Sequence, residues 1–318
     1  QEGFSLRHNQ NVDHREMVPY YLNKIQLLSK EDAAFYFYNQ RTAYNYDASV
    51  REKCKCINTK ELLDFISNKL SVKEWFIQNK IPVISFTTFL GKELLYSRLC
   101  SHFDGYTSFV IQSAHGGGGI GTFYTENYNF PDILDRVEPL QRYIVSPYIS
   151  GISVNTHIFV SEKQTVLSPA SIQIVELKQQ QLCYRGGDFC AFQQVSVSVK
   201  EQVKNLSIKI ADMLRQKGYK GIAGIDFIID KDEHIYCCEI NPRFQASTLI
   251  LDRYLQECDS DPMTAKSCFE LNEMAFQESM VTTLSFEDRI NYSCYYYYSD
   301  GVPAHYFKEK YDLFQKMN

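Results

Sequence analysis

GIAGIDFIIDKDEHIYCCEINPR, residues 221–243, is the stretch from which the rest of the chain can be read. Its Ile, Phe, Tyr and Cys residues crowd into two runs, Gly224–Ile229 and Ile235–Ile240, and its charges collect between them at Asp230–Glu233. Two β-favouring runs separated by a short polar turn predict a hairpin. On it sit Asp226, Glu239 and Asn241, three hard oxygen ligands, with Arg243 just beyond. In a hairpin closed by that turn, Asp226 and Glu239 stand on neighbouring strands and face the same way. Such a set suits Mg²⁺ or Mn²⁺, and Mg²⁺ prefers one or two carboxylates plus phosphate oxygens to an all-protein cage. Taken singly, a carboxylate in an apolar strand is more often solvent-facing or half of an ion pair. Taken jointly, the pattern points to metal, because acids are almost never buried without a partner.

A second stretch points the same way. After the strand-like Phe109-Val-Ile-Gln112 come Gly116, Gly117, Gly118, Gly119 and Gly121, broken only by Ile120. Glycine permits the positive φ that turns successive N–H groups toward one anion, so the loop reads as a phosphate lid, with a flexible hairpin tip as the alternative. It lacks the GK[ST] ending of a Walker A loop and is not a GxGxxG turn followed by an acidic ribose ligand.

A chain of 318 residues suits a two-lobed enzyme or a few closely packed subdomains. Its 44% hydrophobic and 22% charged residues are ordinary for a soluble globular protein. The net charge of −5 argues against a general nucleic-acid surface. No apolar run approaches the roughly 20 residues that span a bilayer, and the opening QEGFSLRHNQNVDHRE lacks the charged and apolar regions of a signal peptide. The expectation is a cytoplasmic protein with no nucleic-acid or membrane partner. Ten cysteines contain no CxxC pair and are expected as reduced, small apolar residues, with Cys54–Cys56 as a metal alternative.

Local signals predict the flanking elements. Ala33–Tyr38 reads as a strand. Asn58–Glu61 reads as a capping box with Asn58 as N-cap, and Ser71–Glu74 repeats it ahead of Trp75. Lys80–Phe86 is expected as a strand entered through a proline, Lys92–Ser101 as a helix, and Ser108–Gln112 and Gln141–Ile149 as strands. Val154–Val160 and Val166–Val175 alternate as half-buried strands do, with Asn155, His157 and Gln173 as inward polar groups and His157 structural. Tyr184–Asp188 reads as a turn, or alternatively as a loop carrying Arg185 toward a substrate carboxylate. Ser198–Glu201 boxes the best helix, whose Val203, Leu206, Ile210, Met213 and Leu214 share a face and which Gly218 ends. Tyr295–Tyr298 reads as half-buried strand rather than a base-stacking platform.

The run Asp226-Phe-Ile-Ile, followed by Glu239-Ile-Asn-Pro-Arg243 and preceded by the glycine loop, resembles the ATP-grasp ligases, over roughly Leu70 to Thr248. The resemblance implies an α+β ATP-grasp fold, two lobes enclosing a nucleotide cleft, with a short N-terminal α/β segment. Residues 1–70 would be that segment, 71–145 the nucleotide-covering small lobe, and 146–318 the large lobe with the metal and substrate site. It implies ATP and two Mg²⁺ or Mn²⁺ ions, with Glu239 bridging both ions and Asp226 and Asn241 completing one each. The glycine loop would close over the phosphates and Arg243 would hold the transferring phosphoryl group. Lys69 falls where the family often has a phosphate-binding lysine, a solvated surface lysine being the alternative. Gln112 stands where lysine is commonest and would offer a neutral hydrogen bond. Ser146, Tyr148 and Ile149 fall on the interlobe hinge whose backbone reads adenine. The implied reaction is ADP-forming: a carboxylate takes the γ-phosphoryl group, and an amine, or another nucleophile such as a thiol, takes the acyl group from the acyl phosphate. The partners would be small-molecule carboxylate and amine substrates, and a homodimer is allowed. A kinase-type phosphotransferase and a non-catalytic nucleotide-binding module are the alternatives.

Overall fold

The computed structural model describes residues 34–116, 121–178, 180–257, 267–279, 290 and 293–295. Helices α1 (Ala48–Arg51), α2 (Lys60–Ser67), α3 (Lys69–Gln78), α4 (Tyr96–His102), α5 (Phe130–Leu134), α6 (Phe189–Phe192), α7 (Val197–Gln216), α8 (Thr248–Glu257) and α9 (Cys268–Gln277) surround the strands. The strands are β1 (Thr87–Leu90), β2 (Phe109–Ser113), β3 (Thr122–Thr125), β4 (Arg142–Pro147), β5 (Gly151–Val160), β6 (Thr165–Leu167), β7 (Ser171–Lys178), β8 (Gln181–Asp188), β9 (Gly221–Asp230), β10 (Ile235–Asn241) and β11 (Ser293–Tyr295). They pair antiparallel along the path β1-β4-β2-β3-β8-β7-β5-β9-β10, with β6 on β5 and β11 on β8. This is an α+β architecture.

The path narrows between β3 and β8, where the pairing comes down to Phe123 against Gln181. On one side of that joint, β1–β4 close over their own core of Phe89, Leu99, Phe109, Ile111, Ile133 and Val145. On the other, α2, α3 and α7 pack Leu63, Phe76, Ile210 and Leu214 against Ile225, Phe227, Ile235 and Cys237 of the β9–β10 hairpin. Burying such side chains contributes roughly 1.5–3 kcal/mol each, and here they lie under one face of the hairpin, which leaves its opposite face free for polar groups. The longest described helix, α7, has 20 residues, and no described helix is long and apolar enough to cross a membrane.

Several local expectations shift. The residue that caps α2 is Thr59, whose hydroxyl accepts from the Leu62 amide at 3.4 Å. Asn58 instead turns inward, donating to Gln40 Oε1 at 2.8 Å and to the Lys220 carbonyl at 2.7 Å. The second helix starts earlier than its Ser71 box, because Asn68 Oδ1 already accepts from the Leu70 and Ser71 amides. Pro82 cannot donate to a ladder, so Lys80–Phe86 forms no strand; its Pro82 carbonyl takes the Cys237 amide at 2.8 Å and the strand begins at Thr87. Pro169 likewise divides the predicted Val166–Val175 strand into β6 and β7. Residues 34–39 make only isolated bridges, Phe35 with Cys54 and Asn39 with Arg243. The predicted turn at Tyr184–Asp188 is strand β8, where Arg185 bonds Glu176 of β7 at 2.8 Å. Tyr295 ends β11, and Tyr296–Tyr298 lie outside the described residues.

Candidate functional site

The hairpin places its acids by a one-residue irregularity. From the turn inward, Ile235, Tyr236 and Cys237 pair with Ile229, Ile228 and Phe227. The register then slips at Cys238, so that Glu239 pairs with Asp226 and Asn241 with Gly224. A bulge of this kind re-aims the side chains that follow it. Without it, Cys238 would stand opposite Asp226 and Glu239 would point away. With it, Asp226 and Glu239 share the face opposite the helix-packed core.

Neighbouring strands extend the row. Asn155 of β5 pairs with Asp226 from the other side and donates to its Oδ1 at 2.6 Å. Gln173 of β7 donates to the same oxygen at 3.1 Å. The Asn241 amide nitrogen reaches Asp226 Oδ2 at 2.9 Å and Glu239 Oε1 at 3.2 Å. Burial, then the charge of Glu239, pushes Asp226 up to about 7. Burial opposes ionisation of Glu239 too, but the Lys69 ammonium 2.6 Å away overcomes it and holds that carboxyl below its ordinary value.

Lys69 is the first residue of α3, and its ammonium also donates to the Gly116 carbonyl at 2.9 Å. It thereby ties the helix start and the glycine loop to Glu239. Beyond Pro242, Arg243 donates through Nη1 to the Phe244 carbonyl at 3.0 Å and through Nη2 to Asn241 Oδ1 at 3.3 Å, with its guanidinium 6.0 Å from the centre of the Tyr38 ring. Lys69, Glu239, Asn241 and Arg243 line one cavity of about 240 Å³ together with Asn39 and Arg41.

The residues fit a divalent cation. Two half-buried carboxylates this close repel each other, and the Asn241 amide bridges them while the Lys69 ammonium holds Glu239 from the side. Hard oxygens that draw in every available positive group are the donor set that Mg²⁺ takes.

A family model described as an ATP-grasp domain matches residues 66–247. The chain belongs to the ATP-grasp family. Among curated proteins it is 26% identical, over 174 residues, to a [butirosin acyl-carrier protein]–L-glutamate ligase of Niallia circulans; the match covers 52% of this chain and 39% of that protein. Among solved structures it resembles the carboxyaminoimidazole ribonucleotide synthase of Aspergillus clavatus complexed with ATP, at 16% identity and a TM-score of 0.60, covering 83% of this chain and 66% of the other. It also resembles the biotin carboxylase domain of Hydrogenobacter thermophilus 2-oxoglutarate carboxylase, solved with MgADP and bicarbonate, at 14% identity and a TM-score of 0.62, covering 85% and 60%. These structures share the ATP-grasp fold. The chain spans less than two thirds of the length of each of these relatives.

The residues singled out in sequence divide accordingly. Asp226, Glu239, Asn241, Arg243, Lys69 and Gly116 come together in one connected cluster. Lys69 is buried, which removes the solvated-surface alternative. Gly121 closes the loop at φ +72°, its carbonyl accepting from Ser113, while Gly117, Gly118 and Gly119 lie outside the described residues. Gln112 turns sideways, its amide 3.3 Å from Thr122 Oγ1 on β3. Ser146 is buried on β4, and Tyr148 and Ile149 lie between β4 and β5. The Tyr148 amide is committed to the Ser108 carbonyl at 2.9 Å, so it is not free to read a base edge. His157 is structural: burial, then Arg243, drives it down to about 3, and its Nε2 lies 3.2 Å from Thr248 Oγ1. At Cys54 and Cys56 burial raises both thiols, Cys56 to about 11, which disfavours the thiolate that a metal needs.

Sequence reasoning placed Asn155 and Gln173 on an inward face but did not assign them to Asp226. It missed Asn39 and Arg41 altogether, since nothing local marks them.

Proposed function

We propose that this ATP-grasp chain is an ATP-dependent, ADP-forming ligase that activates a small carboxylate as an acyl phosphate and passes the acyl group to an amine. The observation that carries the reading is the pairing of Asp226 with Glu239, which lines one cavity with Lys69 and Arg243.

Phosphoryl transfer needs alignment and charge neutralisation more than covalent help from protein. Asp226 and Glu239 would hold Mg²⁺, with Asn241 turning Oδ1 toward it, and the ion would neutralise charge on the phosphate oxygens. Asn155 and Gln173 fix the Asp226 carboxylate by two hydrogen bonds, so that it is oriented before substrates arrive. Lys69, which holds Glu239 and the Gly116 carbonyl, would give its ammonium to a phosphate oxygen when nucleotide binds. Arg243, still held by the Phe244 carbonyl once Asn241 turns to the ion, would present its other N–H groups to the carboxylate that attacks and to the acyl phosphate that results. The amine then displaces phosphate from the acyl carbon. The name of the curated relative makes amino acids such as L-glutamate the first substrates to try.

The test is a matrix of carboxylic acids against amines with ATP and Mg²⁺, reading ADP and condensed product together. ADP release that requires both partners and matches product in amount supports the ligase. ADP release without any condensed product across the matrix counts against it.

A further inference from the structure

Resting on the ligase reading, we infer that the acid substrate carries a second anionic group and that Arg41, in the segment ahead of the family-matched region, reads it. The family match begins at residue 66, so Arg41 lies outside it. The fold nevertheless carries Arg41 to the site. Asn39 makes a β-bridge with Arg243, and the Phe244 amide donates to the Tyr38 carbonyl at 3.2 Å. This pins residues 38–39 alongside Pro242–Phe244, and the 3-10 turn Gln40–Asn45, capped by Asn39, then sets Arg41 into the wall of the cavity.

Charge on that wall is unbalanced. Lys69 is matched by Glu239. Among the described residues Arg243 hydrogen-bonds neutral oxygens, Asn241 Oδ1 and the Phe244 carbonyl, with the Asp226 carboxyl in its field but not bonded to it. Arg41 reaches Asp64 through Nη2 at 2.8 Å, in a pair whose side chains are 40% and 35% exposed. An exposed pair of that kind contributes little and yields readily to a better partner. A guanidinium has five donors in a planar fork, so Arg41 can keep Asp64 and still receive a carboxylate. Two arginines on one cavity suit an acid with two anionic ends: the reacting carboxylate beside Arg243 and the metal-binding pair, the other at Arg41. The cavity, about 240 Å³, has room for such an acid.

The test uses the full chain with Mg²⁺ and a non-hydrolysable ATP analogue, and measures L-glutamate and L-glutamine binding by calorimetry. These two differ in charge at one end and hardly in shape. The native protein should bind L-glutamate about tenfold or more tighter than L-glutamine, as loss of one charge-assisted fork implies. Arg41→Gln should bring the two affinities to within about twofold without changing affinity for the ATP analogue, and Arg41→Lys should restore part of the preference. Asp64→Asn breaks the same ion pair while leaving the guanidinium, and should keep the preference; a purely structural Arg41 would lose it in both. Native protein that does not bind L-glutamate, or an Arg41→Gln variant that retains the preference, overturns the inference. Binding needs no turnover, so failure of the ligase reading would appear separately, as an intact preference without acyl transfer.

Discussion

Asp226 and Glu239 stand opposite each other across the β9–β10 hairpin, and one nitrogen of Asn241 donates to both, at 2.9 and 3.2 Å. Two acids held this close are a site for positive charge. Glu239→Gln should lower ADP formation by about a hundredfold or more, some 3 kcal/mol of transition-state stabilisation, because the uncharged amide leaves the cation and phosphates under-neutralised. Melting temperature should change little, since Lys69 loses an attraction while Asp226 is relieved of a repulsion. Near-native turnover by folded Glu239→Gln would remove Glu239 from the metal site.

Stability should depend on pH through Asp226. Its folded value is pushed up to about 7, first by burial and then by Glu239, whereas an unfolded aspartate titrates near about 3.9. Between those values the folded metal-free protein keeps a proton that the unfolded chain has lost. The contribution is fully present below about pH 4 and is lost as pH rises through about 7. Native stability relative to Asp226→Asn, measured by urea unfolding, should therefore fall across that window and level off above it. Parallel curves would contradict the raised value.

Asn155 is buried between β5 and β9 and donates to Asp226 Oδ1 at 2.6 Å and to the Ile225 carbonyl at 3.3 Å. Asn155→Ala removes one of the two side-chain donors to Asp226 Oδ1, Gln173 being the other, and a donor to the Ile225 carbonyl, and should cost about 1 kcal/mol in urea unfolding. Asn155→Asp should be worse at neutral pH, because it adds a third carboxylate to the row. Equal stability of Asn155→Asp and native protein would mean that the row tolerates more negative charge than proposed.

Glycine at 224 makes room for a side chain. A Cβ there would come within 1.8 Å of Gln245 Nε2, so Gly224→Ala must displace the Gln245 amide, at a cost of about 1–3 kcal/mol. Trimming the intruder should restore the fit: Gly224→Ala with Gln245→Ala should be more stable than the sum of the single changes predicts. Strict additivity in thermal unfolding would show that the clash is relieved elsewhere.

What could be read in advance followed from whether a contact is local. The β9–β10 hairpin announced itself through two apolar runs and a charged turn, and the glycine loop through composition. The bulge at Cys238 was not legible, since no residue type marks it, yet it decides that Glu239 rather than Cys238 meets Asp226. Lys69 had an N-capping Asn68 beside it as a cue, but its contacts with Glu239 and Gly116 depend on packing of α3 against β10. Asn39 and Arg41 reach the cavity through a bridge to Arg243, far away in sequence, and their own neighbourhood carries no pattern. The Lys80–Phe86 and Val166–Val175 readings failed at Pro82 and Pro169, where apolar content outweighed the missing amide.

We propose that a carboxylate becomes an acyl phosphate in the cavity between Glu239 and Arg243. Hydroxylamine tests it directly: with ATP, Mg²⁺ and an acid that stimulates ADP release, but no amine, the intermediate should be captured as a hydroxamate in an amount matching the ADP formed. Arg243→Lys should reduce that yield more than it weakens ATP binding. A stable phosphorylated product appearing with the ADP, and no hydroxamate from any acid that stimulates its release, would contradict the ligase account and assign the site to phosphoryl transfer alone.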